Sequence, residues 1–185
     1  DREDVTIKDL LAHTSGLTSH LPYFRDHTGR SEFEHAICTM PLEYSPRTRA
    51  VYSDLGFILL GFILADTDPN GRRLDEQFHV QAEQRQWGEL RYRPPTSWRG
   101  RSRATEVDTW RGRLLVGEVH DQNAWALGGV AGHSGLFGTA RSVGAFARDI
   151  LAALQGETTL ALPETVAAFA RRTAVMNSSR ALGWD

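Results

Sequence analysis

The sequence predicts a mainly helical protein with long loops and one small β-hairpin. In most segments between turn signals, apolar residues recur at the i, i+3, i+4 spacing of a helix. Strand-like segments occur where "ATEVD" and "RLLVGEV" lie on either side of "TWRG", and these predict a two-stranded hairpin. We find no internal repeat and no low-complexity tract.

Three helices are predicted in the first part of the chain. They cover Ile7 to His13, Ser31 to Thr39, and Asp54 to Ala65. The first begins with a capping-box pattern, because Thr6 is followed three residues later by Asp9, and Gly16 provides the left-handed residue that ends it. The third has Ser53 or Asp54 as its N-cap. Its surface is apolar on nearly all sides, which indicates burial on most of them.

Three more helices are predicted after the turn "DPNG". They cover Arg72 to Trp87, the residues from Thr139 to Leu154, and the segment that follows Pro163. The expected inner face of the second of these holds Val143, Phe146, Ile150 and Leu154. Before that helix, "ALGGVAGHSGLFG" contains five glycines within 13 residues, which predicts a loop.

Composition excludes several functional classes. A chain of 185 residues with 41% hydrophobic residues fits one domain with a real core, and a net charge of -2 gives no overall attraction to nucleic acid. The lone Cys38 excludes an internal disulfide and a cysteine-rich zinc site. The longest apolar run, Leu55 to Ala65, has 11 residues, fewer than a transmembrane helix needs. The basic residues are 20 arginines and one lysine, Lys8.

Both ends of the sequence resemble the interior of a longer protein. The start, "DREDVTIKDLL", has no charged region followed by an apolar one and is therefore not a signal peptide. The end, "SSRALGWD", stops without a cap or a tail. We therefore expect truncation at both ends. These residues do not determine whether the protein is periplasmic, secreted or cytoplasmic.

Three segments, taken in order, resemble one family. "VTIKDLLAHTSGL", "AVYSDLGFILLG" and "GGVAGHSGLFGTARSVGAFA" are similar to successive pieces of the serine β-lactamase-related superfamily, which includes class C β-lactamases, D-alanyl-D-alanine carboxypeptidases and esterases. The resemblance implies that residues 1–185 are the interior, mostly helical part of a single α+β domain of the β-lactamase/transpeptidase type. It also implies a reaction in which a serine becomes acylated and water then releases the product.

The nucleophile motif of that family, S-x-x-K, is absent. It requires a serine three residues before a lysine, and Val5 stands at that place before Lys8. In the family this motif precedes the "LLAHTSGL" segment, and a K-T-G or H-T-G triplet follows the "GW" region. The resemblance therefore implies that this chain has no nucleophile of its own, and we expect the isolated chain to be an inactive and marginally stable part of a hydrolase.

Tyr52 and Asp54 stand where the family has a Y-x-N motif, and the resemblance implies that Tyr52 is an acid/base group. Asp54 departs from the pattern, because an ionised aspartate accepts hydrogen bonds whereas the family's asparagine amide also donates them. A neighbouring carboxylate also raises the pKa of the tyrosine, which opposes its action as a base. This departure leaves an ester or an unusual amide more open as the substrate than a β-lactam or a peptide amide. Without the family context, Asp54 is an ordinary N-cap and Tyr52 a core aromatic residue.

The residues His133, Ser134 and Gly135 fit the H-[ST]-G form of the third motif, which in this family binds substrate. Against this assignment, the residues that follow resemble a helix start, whereas the triplet needs a strand whose edge pairs with substrate. The alternative is a glycine loop near the mouth of the site.

Metal and nucleic-acid sites are weaker interpretations. A metal site is suggested by His120–Asp121 together with His133, but the two histidines are 13 positions apart on predicted loops and a third strong ligand is missing. We therefore predict a polar loop and no metal or other cofactor. The arginine-rich residues 91–113 include Trp98 and Trp110, but their acidic neighbours favour a solvated surface over a nucleic-acid site.

The expected partner is a small-molecule or peptidoglycan-like substrate, and the expected function is part of a serine hydrolase acting on an ester, amide or β-lactam. The alternative is a non-catalytic remnant or binding module.

Overall fold

Helices make up most of the regular structure in residues 2–157 and 160–184, the part of the chain that the computed structural model describes. The helices are α1 (Ile7–Leu11), α2 (Gly29–Thr39), α3 (Asp54–Thr67), α4 (Leu74–Gln84), α5 (Gln122–Ala126), α6 (Ala140–Leu154) and α7 (Pro163–Ala170). The strands are β1 (Leu90–Tyr92), β2 (Ala104–Asp108), β3 (Arg113–Val116) and β4 (Leu136–Gly138). The mainly helical fold is confirmed, and the hairpin of β2 and β3 forms where the sequence predicts it.

The main core surrounds α3, as its apolar surface predicts. Its buried members are Leu10, Leu17, Phe33, Ile37, Leu55, Ile58 and Leu60. The helices α1 and α2 both contact α3. Burial of each large apolar side chain contributes about 1.5–3 kcal/mol. Near the end of the helix, Leu64 remains 50% exposed.

A second two-stranded sheet was not predicted. The antiparallel pair of β1 and β4 places Leu90 opposite Gly138 and Tyr92 opposite Leu136. The segment expected to be a loop therefore ends in a short strand, because its backbone finds hydrogen-bond partners in a distant segment. The residues directly after Gly135 are therefore a strand and not the expected helix start. The helix α6 begins at Ala140, after its predicted cap Thr139.

Other differences concern helix ends. The first helix ends at Leu11, and His13 (φ 57°), rather than Gly16, is the left-handed residue after its C-cap. The fourth helix ends at Gln84, and the expected polar loop "VHDQNAW" contains the short helix α5. On α6, Val143 is 52% exposed and Leu154 is 39% exposed, so they do not lie on the inner face.

The glycine loop before β4 touches the backbone of α3 at Gly132. A Cβ atom at Gly132 would lie 2.0 Å from the carbonyl oxygen of Phe57 and 3.0 Å from the nitrogen of Gly61. Only a residue without a side chain allows this approach. The contact fixes the following residue, His133, beside the first turns of α3.

We predict that Gly132→Ala destabilises the protein by at least about 1–3 kcal/mol, because the added methyl group forces the loop away from α3. Gly100→Ala is the matched control, since nothing lies within 4 Å of a Cβ at that position. Urea unfolding of the two variants measures the difference. Equal stability of the two variants would show that the loop is not held against α3.

Asp9 is a buried carboxylate, 5% exposed, that ties the start of α1 to a distant arginine. It forms the predicted capping box with Thr6, whose N–H donates to it at 2.9 Å, and it accepts from Arg47 Nη2 at 2.8 Å. Burial alone raises the pKa of Asp9, but the hydrogen bonds from Arg47 and Thr6 and the charge of Arg47 lower it to about 2.

We predict that this pKa shift makes folding depend on pH. A carboxyl whose pKa is lowered on folding stabilises the native state above its unfolded pKa, near 4, and loses that contribution as the pH falls towards 2. The expected loss between pH 5 and pH 2 is about 2 kcal/mol from Asp9. Chemical unfolding across this range should show a smaller loss in Asp9→Asn, whereas the exposed Asp26→Asn should keep the wild-type slope.

Candidate active site

The first turn of α3 is held by the loop that follows α1. Ser53 is its N-cap: the hydroxyl accepts from Gly56 N–H at 3.3 Å and donates to the Thr18 carbonyl at 2.7 Å. The backbone N–H of Ser53 donates to Nδ1 of His13 at 3.0 Å. Because Ser53 is the cap, Asp54 is the first helical residue and its carboxylate is available for other contacts.

Tyr52 lies directly before this cap and is 48% exposed. Its ring packs on His13, with 4.9 Å between centroids, and His13 stacks on Phe57 at 4.8 Å. The guanidinium of Arg180 lies 5.6 Å from the Tyr52 ring centroid. Together with Trp184, these side chains line a cavity of about 320 Å³. The structure therefore places the Tyr52 ring at an open cavity rather than in the core.

Partial burial and the interaction with the Asp54 carboxylate raise the pKa of Tyr52 to about 12, with a further contribution from the charge of Asp121 and a smaller lowering by Arg180. The phenol is therefore protonated at neutral pH. The direction agrees with the sequence argument about an aspartate at this position.

Two aspartate–histidine pairs flank the phenol. The Nδ1 atom of His20 lies 3.1 Å from Oδ2 of Asp54. Nε2 of His133 lies 2.9 Å from Oδ1 of Asp121, and the same oxygen accepts from Ala124 N–H at 2.7 Å as the N-cap of α5. Burial raises the pKa of Asp121, but the contacts with His133 and Ala124 outweigh it, so that this pKa is lowered.

The structure brings some of the predicted residues together and separates others. Tyr52, Asp54 and His133 lie around the same site, whereas Ser134 and Gly135 line a neighbouring cavity of about 610 Å³. The proposed triplet is thus divided between two cavities, and its role in substrate binding stays a prediction. His120 is not part of the site, since its Nε2 pairs with Glu106 at 3.1 Å.

Four residues near Tyr52 were not predicted to belong to this site. They are His13, His20, Asp121 and Arg180. His13 was assigned only to a helix end. No spacing rule connects these positions to Tyr52, because all of them lie more than 30 residues from it in the sequence.

A family model described as Beta-lactamase matches residues 1–185. The chain belongs to the beta-lactamase family. Salmonella gallinarum and Salmonella agona each have a relative whose name assigns it to the D-alanyl-D-alanine carboxypeptidases. Each is 28% identical over 204 residues, covering 99% of this chain and 47% of the relative. The chain therefore spans about half the length of these beta-lactamase-family relatives.

Solved structures of the family share the fold. A penicillin binding protein from Bacillus halodurans is 20% identical with a TM-score of 0.68, over 99% of this chain and 58% of that one. A class C beta lactamase is 15% identical with a TM-score of 0.65, over 89% and 42%. In the described residues, no helix has the length and apolar character to span a membrane.

We predict that His13→Ala destabilises this beta-lactamase-family chain by about 1–3 kcal/mol, because the buried N–H of Ser53 loses its acceptor. The control is His120→Ala, a half-exposed histidine outside the site, with an expected change within about 0.5 kcal/mol. Urea unfolding monitored by circular dichroism measures both. A His13→Ala variant as stable as the control would contradict this role of His13.

Proposed function

We propose that residues 1–185 are the helical, Tyr52-bearing interior of a serine hydrolase domain that acts through an acyl-enzyme. The observation that carries this proposal is the half-exposed Tyr52 phenol, held at a cavity by the packing of its ring on His13 and influenced by the Asp54 carboxylate. Membership of the beta-lactamase family supports the reaction class. The carboxypeptidase relatives support a peptidoglycan-like peptide as substrate, beside the ester or β-lactam that the sequence leaves open.

In this proposal Tyr52 moves the proton that accompanies serine attack and leaving-group departure. The packing on His13 fixes the ring, and the Asp54 carboxylate favours the protonated phenol. A phenol with a pKa near 12 becomes an effective base only when a positive charge beside it lowers that value. The nucleophilic serine and its lysine lie outside residues 1–185, since Val5 precedes the only lysine, Lys8, at the motif spacing.

The alternative is a binding module or remnant without catalysis. One observation favours it, namely that no serine stands three residues before the only lysine. The two proposals differ in whether the gene continues into an S-x-x-K motif upstream and a K-T-G or H-T-G triplet downstream.

The test uses the product of the complete reading frame that contains residues 1–185. We expect Tyr52→Phe to lower the rate of acylation by nitrocefin, or of D-alanine release from a D-alanyl-D-alanine peptide, by about 10² to 10⁴. Tyr44→Phe is the matched control, since the Tyr44 hydroxyl contacts the His13 carbonyl at 3.4 Å and does not line the cavity. Its rate should stay close to wild type.

The isolated chain provides the complementary test. We expect no turnover of nitrocefin or p-nitrophenyl acetate by residues 1–185 alone. Turnover that Tyr52→Phe abolishes would place a nucleophile inside this chain. If the complete product is neither acylated by these compounds nor hydrolyses them, the result favours the binding module.

A further inference from the structure

Two carboxylates and one imidazole converge beside Tyr52, and of these three groups the hydrolase proposal uses only Asp54. One ligand atom from each of Asp54, Asp121 and His133 lies within 4.8 Å of the others. These atoms are oxygen and nitrogen, the donors that zinc and related divalent transition metals accept. A three-residue set leaves room for a water molecule or a substrate atom as a further ligand.

Each of the three side chains is held by a different part of the fold. Asp54 lies in the first turn of α3, and Asp121 is the N-cap of α5. The loop that carries His133 is fixed on α3 by the close backbone contact of Gly132. The cluster is therefore built on fixed backbone rather than on freely moving surface side chains.

His133 supplies an independent observation. Its side chain is only 3% exposed, and its Nδ1 atom has no hydrogen-bond partner in the described part of the chain. The other ring nitrogen, Nε2, lies 2.9 Å from Oδ1 of Asp121 and is therefore the atom placed to bind a metal in this cluster. Histidine is also the commonest metal ligand in proteins, because its neutral ring nitrogen binds these cations at physiological pH.

Charge favours a cation at the same place. The carboxylates of Asp54 and Asp121 face each other within 4.8 Å, and a divalent cation between them offsets their mutual repulsion. The mixed nitrogen and oxygen set favours zinc, cobalt or manganese over calcium, which takes oxygen ligands.

The sequence alone suggests His120, Asp121 and His133 as possible ligands, a set too weak to predict a metal site. In the structure His120 pairs with Glu106 elsewhere on the surface, and Asp54 takes the missing place. We propose that Asp54, Asp121 and His133 form a binding site for a divalent transition metal such as zinc. The site shares Asp54 with the hydrolase proposal, but metal binding does not depend on that reaction.

The test measures metal binding directly on the 185-residue chain, without any activity assay. Metal-free protein is titrated with Zn²⁺ by calorimetry, and with Co²⁺ by visible absorption, which reports ligand number and type. We expect one ion per chain, with affinity lowered at least about 10-fold to 100-fold by Asp54→Asn, Asp121→Asn or His133→Gln. His120→Gln is the matched control, because it alters a similar histidine–carboxylate pair outside the cluster.

Circular dichroism checks the fold of each variant first. Asp121 is also the N-cap of α5, so Asp54→Asn and His133→Gln decide the outcome if Asp121→Asn unfolds. Loss of binding in these two, with retention in His120→Gln, supports the site. Absence of binding by the wild type, or equal binding by all variants, overturns it. Because no substrate is involved, this result is independent of whether Tyr52 proves to be catalytic.

Discussion

The candidate site depends on how the first turn of α3 is held. A buried helix start needs partners for its backbone N–H groups, and here the loop after α1 supplies them. The N–H of Ser53 donates to His13, and the N–H of Asp54 donates to the Ser19 carbonyl at 2.9 Å. These bonds leave the Tyr52 ring facing the cavity and the Asp54 carboxylate beside it. The same apolar helix that forms the core therefore also presents the site.

A second constraint is the approach of the glycine loop to α3. Contact of Gly132 with the Phe57 carbonyl brings His133 to the helix, and Asp121, the cap of α5, lies next to it. Three segments that are far apart in the chain thus meet at one end of α3. Backbone contacts make this meeting specific, since they exclude any side chain at Gly132.

The negative charge around the protonated Tyr52 phenol bears on both the hydrolase proposal and the metal proposal. Burial, Asp54 and Asp121 raise the pKa of Tyr52 by more than Arg180 lowers it, so a hydrolase that uses this tyrosine needs a further positive charge beside it. The same two carboxylates, with His133, also suit a divalent metal. The aspartate at position 54, where the family resemblance implies asparagine, therefore changes the chemistry available on a familiar fold.

The sequence by itself determined the features that depend on neighbours along the chain. The capping box of Thr6 and Asp9, the caps at Ser53 and Thr139, and the bounds of α6 agree with prediction because each involves bonds across three or four residues. The strand β2 agrees as well, because its partner β3 follows after a short turn. The family was also recognisable from three short segments. Tertiary structure alone decided the pairing of β1 with β4, the left-handed His13 and the meeting of His133 with Asp121. These features depend on residues that are far apart in the sequence and share no helical or strand periodicity, so they form only when the chain is packed.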